Sequence, residues 1–172
     1  MKRIRFLQIL FLGFCLNSCD IINPNPPMFS CRINGKLWEP ITPGPLGGRY
    51  TSNATFYPKQ NYFSVYGSSE DCFIGIIINL PPNTKIELNK KYPIQLLTTE
   101  NAAKASFRIT IGNTSKQDYR VSANSGYIKI TKMDTQYFSG SFEFDLEKEI
   151  LSKKYKIRGG QFNNMLYGKN DN

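Results

Sequence analysis

Cys72-Phe73-Ile74-Gly75-Ile76-Ile77-Ile78-Asn79-Leu80 is an apolar run, preceded by the acidic pair Glu70-Asp71 and closed by Pro81-Pro82. It is short, rich in β-branched side chains and broken by a glycine, which points to a strand rather than a helix. Because it is apolar on both parities, it is expected to be a central strand covered on both faces. On its N-terminal side, residues 50–57 and 62–66 alternate with a period of two around Pro58-Lys59-Gln60-Asn61, so they read as a hairpin. On its C-terminal side, residues 85–97 read as a turn and a short strand. Residues 102–111 form another strand, with Phe107, Ile109 and Ile111 inward and Arg108 and Thr110 outward. Residues 126–132, 137–146 and 155–162 close the chain as a meander. Its middle strand sets Phe138, Phe142, Phe144 and Leu146 against Ser139, Ser141, Glu143 and Asp145. Residues 146–151 are long enough for one helical turn, which is marginal alone. Short strands, abundant turn residues and no long 3.6-residue pattern predict an all-β, single-domain antiparallel β-sandwich or partly open barrel.

The domain opens at residue 28. Phe29, Cys31 and Ile33 alternate with Ser30, Arg32 and Asn34, and Asn34-Gly35 turns the chain into Leu37-Trp38. Residues 40–48, with Pro40, Pro43, Pro45, Gly44, Gly47 and Gly48, read as an irregular surface loop. Ahead of the domain, three prolines in residues 20–27 predict an extended tether. Further back, Lys2, Arg3 and Arg5 precede an apolar run over residues 6–15 interrupted only by Gln8. A spanning helix needs about 20 apolar residues. This shorter run has the shape of a secretory signal peptide.

That run ends in Leu16-Asn17-Ser18-Cys19, which resembles the lipobox of bacterial lipoproteins, with Asn17 where a small or apolar residue is usual. The resemblance implies cleavage before Cys19, a diacylglycerol on its thiol and usually an acylated amine. Several chains together hold firmly, since each buried CH₂ contributes about 0.8 kcal/mol. The expected organisation is a signal peptide over residues 1–18, a lipidated Cys19 with a Pro-rich tether to residue 27, a domain over 28–168 and a polar tail over 169–172. The expected location is the outer membrane, or another membrane of the cell envelope, with the domain facing the periplasm or the surface.

Phe29-Ser30-Cys31-Arg32-Ile33-Asn34-Gly35-Lys36-Leu37-Trp38 resembles the opening of a family of small Bacteroidetes-type lipoproteins of unknown function, with Cys31 in place of an alanine. Gly140-Ser141-Phe142-Glu143-Phe144 and Gly159-Gly160-Gln161-Phe162 resemble that family's closing G-x-F-x-F and G-x-F strands. The resemblance brackets the domain and implies its fold. It carries no activity and no catalytic residues.

The chain has 172 residues and a formal net charge of +9; without the first 18 residues and their three basic side chains it has 154 residues and a charge of +6. That length suffices for one domain with its own core. There is no histidine, which removes Ser-His-Asp and Cys-His catalysis, His-ligated zinc and imidazole pH switching. With Cys15 in the signal and Cys19 lipidated, Cys31 and Cys72 remain, either as a disulfide or as two buried free thiols. Neither cysteine spacing matches a metal site, so no metal and no cofactor are expected. No nucleic-acid motif is present.

Glu143, Asp145 and Glu147 are candidates for carboxylate-only hydrolysis, but a strand spaces them near 7 Å on a face open to water. Glu70-Asp71 lacks the spaced ligand series of a calcium loop. Lys154, Lys156 and Arg158 form a basic ridge that also serves to protect an edge from aggregation. Trp38, Tyr50, Tyr57, Tyr62, Tyr66 and Tyr137 offer an aromatic platform, of which Tyr62 and Tyr66 share one outward face opposite Phe63 and Val65. The expectation is a noncatalytic binding or accessory module with a glycan or envelope-protein ligand at Tyr62 and Tyr66. A protein-interaction or inhibitor module comes second and a carboxylate-only hydrolase third. Replacing Cys19 by alanine is expected to release the protein from the membrane fraction or leave it as full-length precursor, as read by fractionation and intact mass; unchanged partition and mass would refute the lipobox reading.

Overall fold

The alternation of apolar and polar residues becomes strands in the computed structural model, which describes residues 27–42, 49–96, 101–111 and 117–169. The strands are β1 (Phe29–Ile33), β2 (Lys36–Trp38), β3 (Ile41–Thr42), β4 (Arg49–Tyr50), β5 (Ser52–Tyr57), β6 (Tyr62–Ser68), β7 (Cys72–Asn79), β8 (Lys91–Pro93), β9 (Ala102–Ile111), β10 (Gln117–Met133), β11 (Tyr137–Leu146) and β12 (Lys156–Lys169). Among the described residues there is no helix. Residues 1–26, which hold the expected signal segment, Cys19 and the tether up to Pro26, lie outside the described residues, as do loop residues 43–48 and residues 170–172.

Turn chemistry sets the register. Asn34 (φ 50°) and Gly35 (φ 84°) both take left-handed backbone, as a tight hairpin between β1 and β2 requires. Asn61 (φ 50°) turns β5 into β6, and its amide donates to the carbonyls of Leu80 and Pro81, fastening this turn to the end of β7. The strands are ordered β11-β10-β9-β7-β6-β5-β12, and β12 also pairs with β11, so seven strands close into a barrel. Every pairing in the ring is antiparallel except β12 with β5, where Tyr167, Gly168 and Lys169 run parallel to Ala54, Thr55 and Phe56. The β1–β2 hairpin extends the sheet beyond β12, and β8 pairs with β10.

Two long strands change neighbours midway and make the corners. β10 pairs with β9 over residues 117–122 and with β11 from Ala123 on, across a register break between Ala123 and Ser125. Beside it Gly126 sits at φ 142°, where a Cβ would lie 2.1 Å from the Glu143 carbonyl oxygen, so only glycine fits. β12 pairs with β1 over residues 157–162 and with β5 over 167–169, with Asn164 at φ 45° between the two segments. Bends of this kind let strands pass from one face of a closed sheet to another.

Phenyl rings fill the interior. Phe29, Phe63, Phe107, Phe138, Phe142, Phe144 and Phe162 are each at most 1% exposed, and burying one such ring contributes about 1.5–3 kcal/mol. Two cross-strand pairs of β11 and β12 place a ring against a glycine in reciprocal order, Gly140 opposite Phe162 and Phe142 opposite Gly160. A Cβ on Gly140 would come within 2.3 Å of Phe162, and one on Gly160 within 2.5 Å of Phe142. Outward positions carry mostly serine, threonine and charged side chains, the reverse of barrels that cross a bilayer.

The expected all-β fold is therefore present, closed as a barrel with one parallel seam. Several local expectations change. β7 is covered on one face: Cys72, Ile74, Ile76 and Ile78 point inward, while Phe73 is half-buried and Ile77 is 39% exposed on the other side. Residues 146–151 make no helical turn; Leu151 and Ser152 adopt left-handed backbone, and Ile150 bridges back to Lys153. The Pro-rich loop is flanked by a ladder, since Ile41 and Thr42 pair with Tyr50 and Arg49. β10 begins at Gln117 and β12 ends at Lys169, both longer than periodicity suggests.

Gly160→Ala is expected to destabilise the domain by about 1–3 kcal/mol through overpacking. Adding Phe142→Leu, which frees the space, should make the double variant more stable than the sum of the two single changes. Equilibrium urea unfolding of the four proteins checks the coupling.

Candidate functional site

The outward positions of β5, β6, β7 and β9 form one continuous exposed sheet face. Register aligns them in rows: Asn53, Tyr66, Gly75 and Ser106 in one, Thr55, Ser64, Ile77 and Lys104 in the next, and Ser68, Phe73 and Arg108 on the other side of Gly75. At the centre stands the glycine, where a Cβ would lie 2.7 Å from the Phe73 ring. Gly75 thus lets that ring lie down across the strand, and Tyr66 stacks on it with centroids 5.7 Å apart and planes at 29°.

The result is a groove of about 370 Å³, within the range of small-ligand sites. Tyr66 and Phe73 wall one side, Ile77 and Lys104 the other, and Ser64, Gly75 and Ser106 form the floor. The hydroxyls of Ser64, Tyr66 and Ser106 have no protein hydrogen-bond partner among the described residues. Lys104 is the one charged residue in the lining. Arg108 lies just outside, its guanidinium 5.8 Å from the Phe73 ring centroid and 3.7 Å from Asp118.

Tyr62 and Tyr66 share the outer face, as their parity indicates, but only Tyr66 lines the groove. Tyr62 stacks on Tyr57 at 4.2 Å, further along the same face. Partial desolvation and the neighbouring Tyr57 hydroxyl raise its phenol above the ordinary range. The other expected aromatics lie elsewhere. Trp38 packs edge-on against Phe29 and donates to Ser69 Oγ at 3.3 Å, Tyr137 pairs with Leu166 on the β11–β12 side, and the Tyr50 side chain lies outside the described residues. Sequence reasoning missed Phe73, Gly75, Lys104 and the two serines, although the trace of Phe73 was visible as an apolar side chain on the second parity of β7.

The charged candidates are dispersed. Asp145 is held by Arg158 at 2.7 Å, and Lys154 approaches Glu149 at 4.0 Å, so the basic ridge is partly neutralised by its neighbours. Among the described residues no three His, Cys, Asp or Glu side chains gather as metal ligands. A second hollow of about 340 Å³, lined by Phe56, Leu80, Ile86, Leu88 and Met133 with Thr84 and Lys85, lies apart from the groove.

Cys31 and Cys72 are free thiols buried in the core. Burial, and then the nearby Cys72, raises the Cys31 thiol far above its usual range. Burial dominates at Cys72 too, pushing it up to about 12, with Arg108 opposing and Asp71 adding.

Comparison of the chain with protein-family models, with curated proteins and with solved structures finds no match.

Because the thiolate is the reactive form and burial suppresses it, peptides containing Cys31 and Cys72 are expected to stay unlabelled by iodoacetamide at pH 8.5 in the folded, reduced protein. Both should label in guanidinium, where a cysteine returns to a pKa of about 8.5. Peptide mass mapping reads the outcome; rapid native labelling of either residue would contradict the burial.

Proposed function

We propose that the chain is a noncatalytic, lipid-anchored binding module of the cell envelope, and that its ligand is a saccharide lying in the groove on β6, β7 and β9. The observation that carries this reading is the stacked pair Tyr66–Phe73 laid over Gly75 beside three unpaired hydroxyls. An aromatic face is electron-rich and meets the C–H face of a pyranose, while hydroxyls at the rim of the stack fix the orientation of the sugar's own hydroxyls. Binding of this kind needs no proton transfer, and the groove lining contains no carboxylate. The lipid anchor at Cys19, read from the lipobox, would hold the domain at a membrane surface where envelope or environmental glycans are met.

A protein-interaction or inhibitor module is the second reading, favoured by the apolar hollow around Phe56, Leu80, Ile86 and Met133, where Leu88 is 49% exposed. Carboxylate-only hydrolysis has less to draw on, since Asp145 is engaged by Arg158 and Glu143 is set on a strand face away from the groove.

Glycan-array binding followed by calorimetry tests the proposal. Tyr66→Ala is expected to weaken binding at least tenfold, about 1.4 kcal/mol, and Gly75→Val to do the same by lifting the Phe73 ring. Tyr62→Ala should have a smaller effect, and all three variants should keep the wild-type melting temperature within a few degrees. Binding unaffected by Tyr66→Ala and Gly75→Val would move the site off this face.

A further inference from the structure

We infer that the saccharide taken by the groove is acidic, with the negative charge of a ring carboxylate or sulfate ester seated on the Lys104 ammonium. The inference rests on the saccharide reading and adds the chemical class. Lys104 is the single charged residue in a lining of ten, and it stands across the floor from the Tyr66–Phe73 wall, so a ring stacked on that wall presents its edge to the ammonium. Lys104 makes no ion pair or hydrogen bond among the described residues, so its charge is not already matched by the protein.

The surroundings reinforce the sign. Outward positions of β9 and the adjoining half of β10 carry Lys104, Arg108 and Arg120 against one carboxylate, Asp118. That carboxylate is taken up by Arg108 at 3.7 Å and by the Thr110 hydroxyl, which donates to it at 2.6 Å. Asp71, exposed beyond Phe73 and two residues before it, lies on the Arg108 side rather than in the groove lining. The charge in the groove itself is therefore positive, in keeping with the +6 of the chain without its first 18 residues, and an anion entering this partly desolvated cleft meets no opposing charge in its lining. Lysine is a point charge on a flexible stem, so it can follow either a planar carboxylate or a tetrahedral sulfate.

The two sources of charge are separated by the choice of probe. Binding of the full-length chain in detergent, or of its Cys19→Ala form, is measured for tetragalacturonate, for its methyl ester, for a sulfated galactan tetrasaccharide and for the desulfated form. At least one acidic probe should bind tenfold or more tightly than its uncharged counterpart. Lys104→Gln should bring that acidic probe down towards the level of the uncharged one, weakening the acidic member at least tenfold more than the uncharged member, and the salt dependence should fall with it. The galacturonate pair responding alone assigns a carboxylate; the sulfated pair alone assigns a sulfate.

Equal affinity for charged and uncharged members of both pairs overturns the acidic inference and leaves the saccharide reading standing. Equal weakening of both members by Lys104→Gln also overturns it, since the lysine would then act through packing or neutral hydrogen bonding. Absence of binding to these four probes, with neutral glycans on the array still bound through Tyr66, overturns the inference alone. Absence of any glycan binding overturns both. Lys104 is exposed on the outer sheet face, so an unchanged melting curve for Lys104→Gln keeps loss of folding out of the comparison.

Discussion

The interlock on which the rest of the barrel depends is the reciprocal fit of Gly140 against Phe162 and of Gly160 against Phe142. Each ring occupies space that any side chain on the facing strand would fill, so β11 and β12 can pair in only one register. That register positions the remaining rings: Phe162 touches Phe138, Phe138 meets Phe63 edge-on, and Phe142 contacts Phe29 of the N-terminal hairpin. Through Phe63 the same packing reaches β6, whose other face bears Tyr66. The groove's aromatic wall is thus set by packing on the opposite side of its own strand.

Much of the fold was legible because alternation in this chain is strict where burial is one-sided. The strands Tyr137–Leu146 and Ala102–Ile111 follow directly from it, and Asn34-Gly35 declares its turn. The G-x-F spacing has a physical cause in the glycine–ring interlock. Legibility failed where a strand serves two sheets. The first half of β10, Gln117 to Ser122, has only Tyr119 and Val121 on its inward parity, both half-buried, because it runs along a flank of the core, and so short an apolar pair gives little periodic signal. The far end of β12 is polar and left-handed at Asn164, which in sequence is a loop signal and in the fold is a corner.

The site was half legible for a related reason. Parity alone puts Tyr62 and Tyr66 on the outer face, where both lie. An apolar run on both parities usually means double burial, which predicts Phe73 in the interior. Here the second parity faces outward, and Phe73 and Ile77 are the walls of a groove. Lys104 and the serines had no local signal: each is an ordinary outward strand residue, Ser64 reaching the groove through the β6–β7 register and Lys104 and Ser106 through the β7–β9 register, which links positions about 30 apart in sequence. Apolar residues on the wrong face of a well-patterned strand are the trace that a sheet surface has a second task.

The parallel seam has a consequence in time. Tyr167 to Lys169 are the residues that join β12 to β5, pairing with Ala54 to Phe56 more than a hundred positions earlier. During synthesis, β5, β6, β7 and β9 can pair in the order in which they emerge, but the exposed flank of β5 waits for the last strand of the ring. Until then two open edges coexist, one on each side of a nascent sheet, and open edges recruit other chains. High contact order makes this final step slow relative to the hairpins. A chain that emerges in order is therefore most vulnerable just before completion, and anything that lingers on its nascent β5, a chaperone or a second copy, competes directly with its own C-terminal strand.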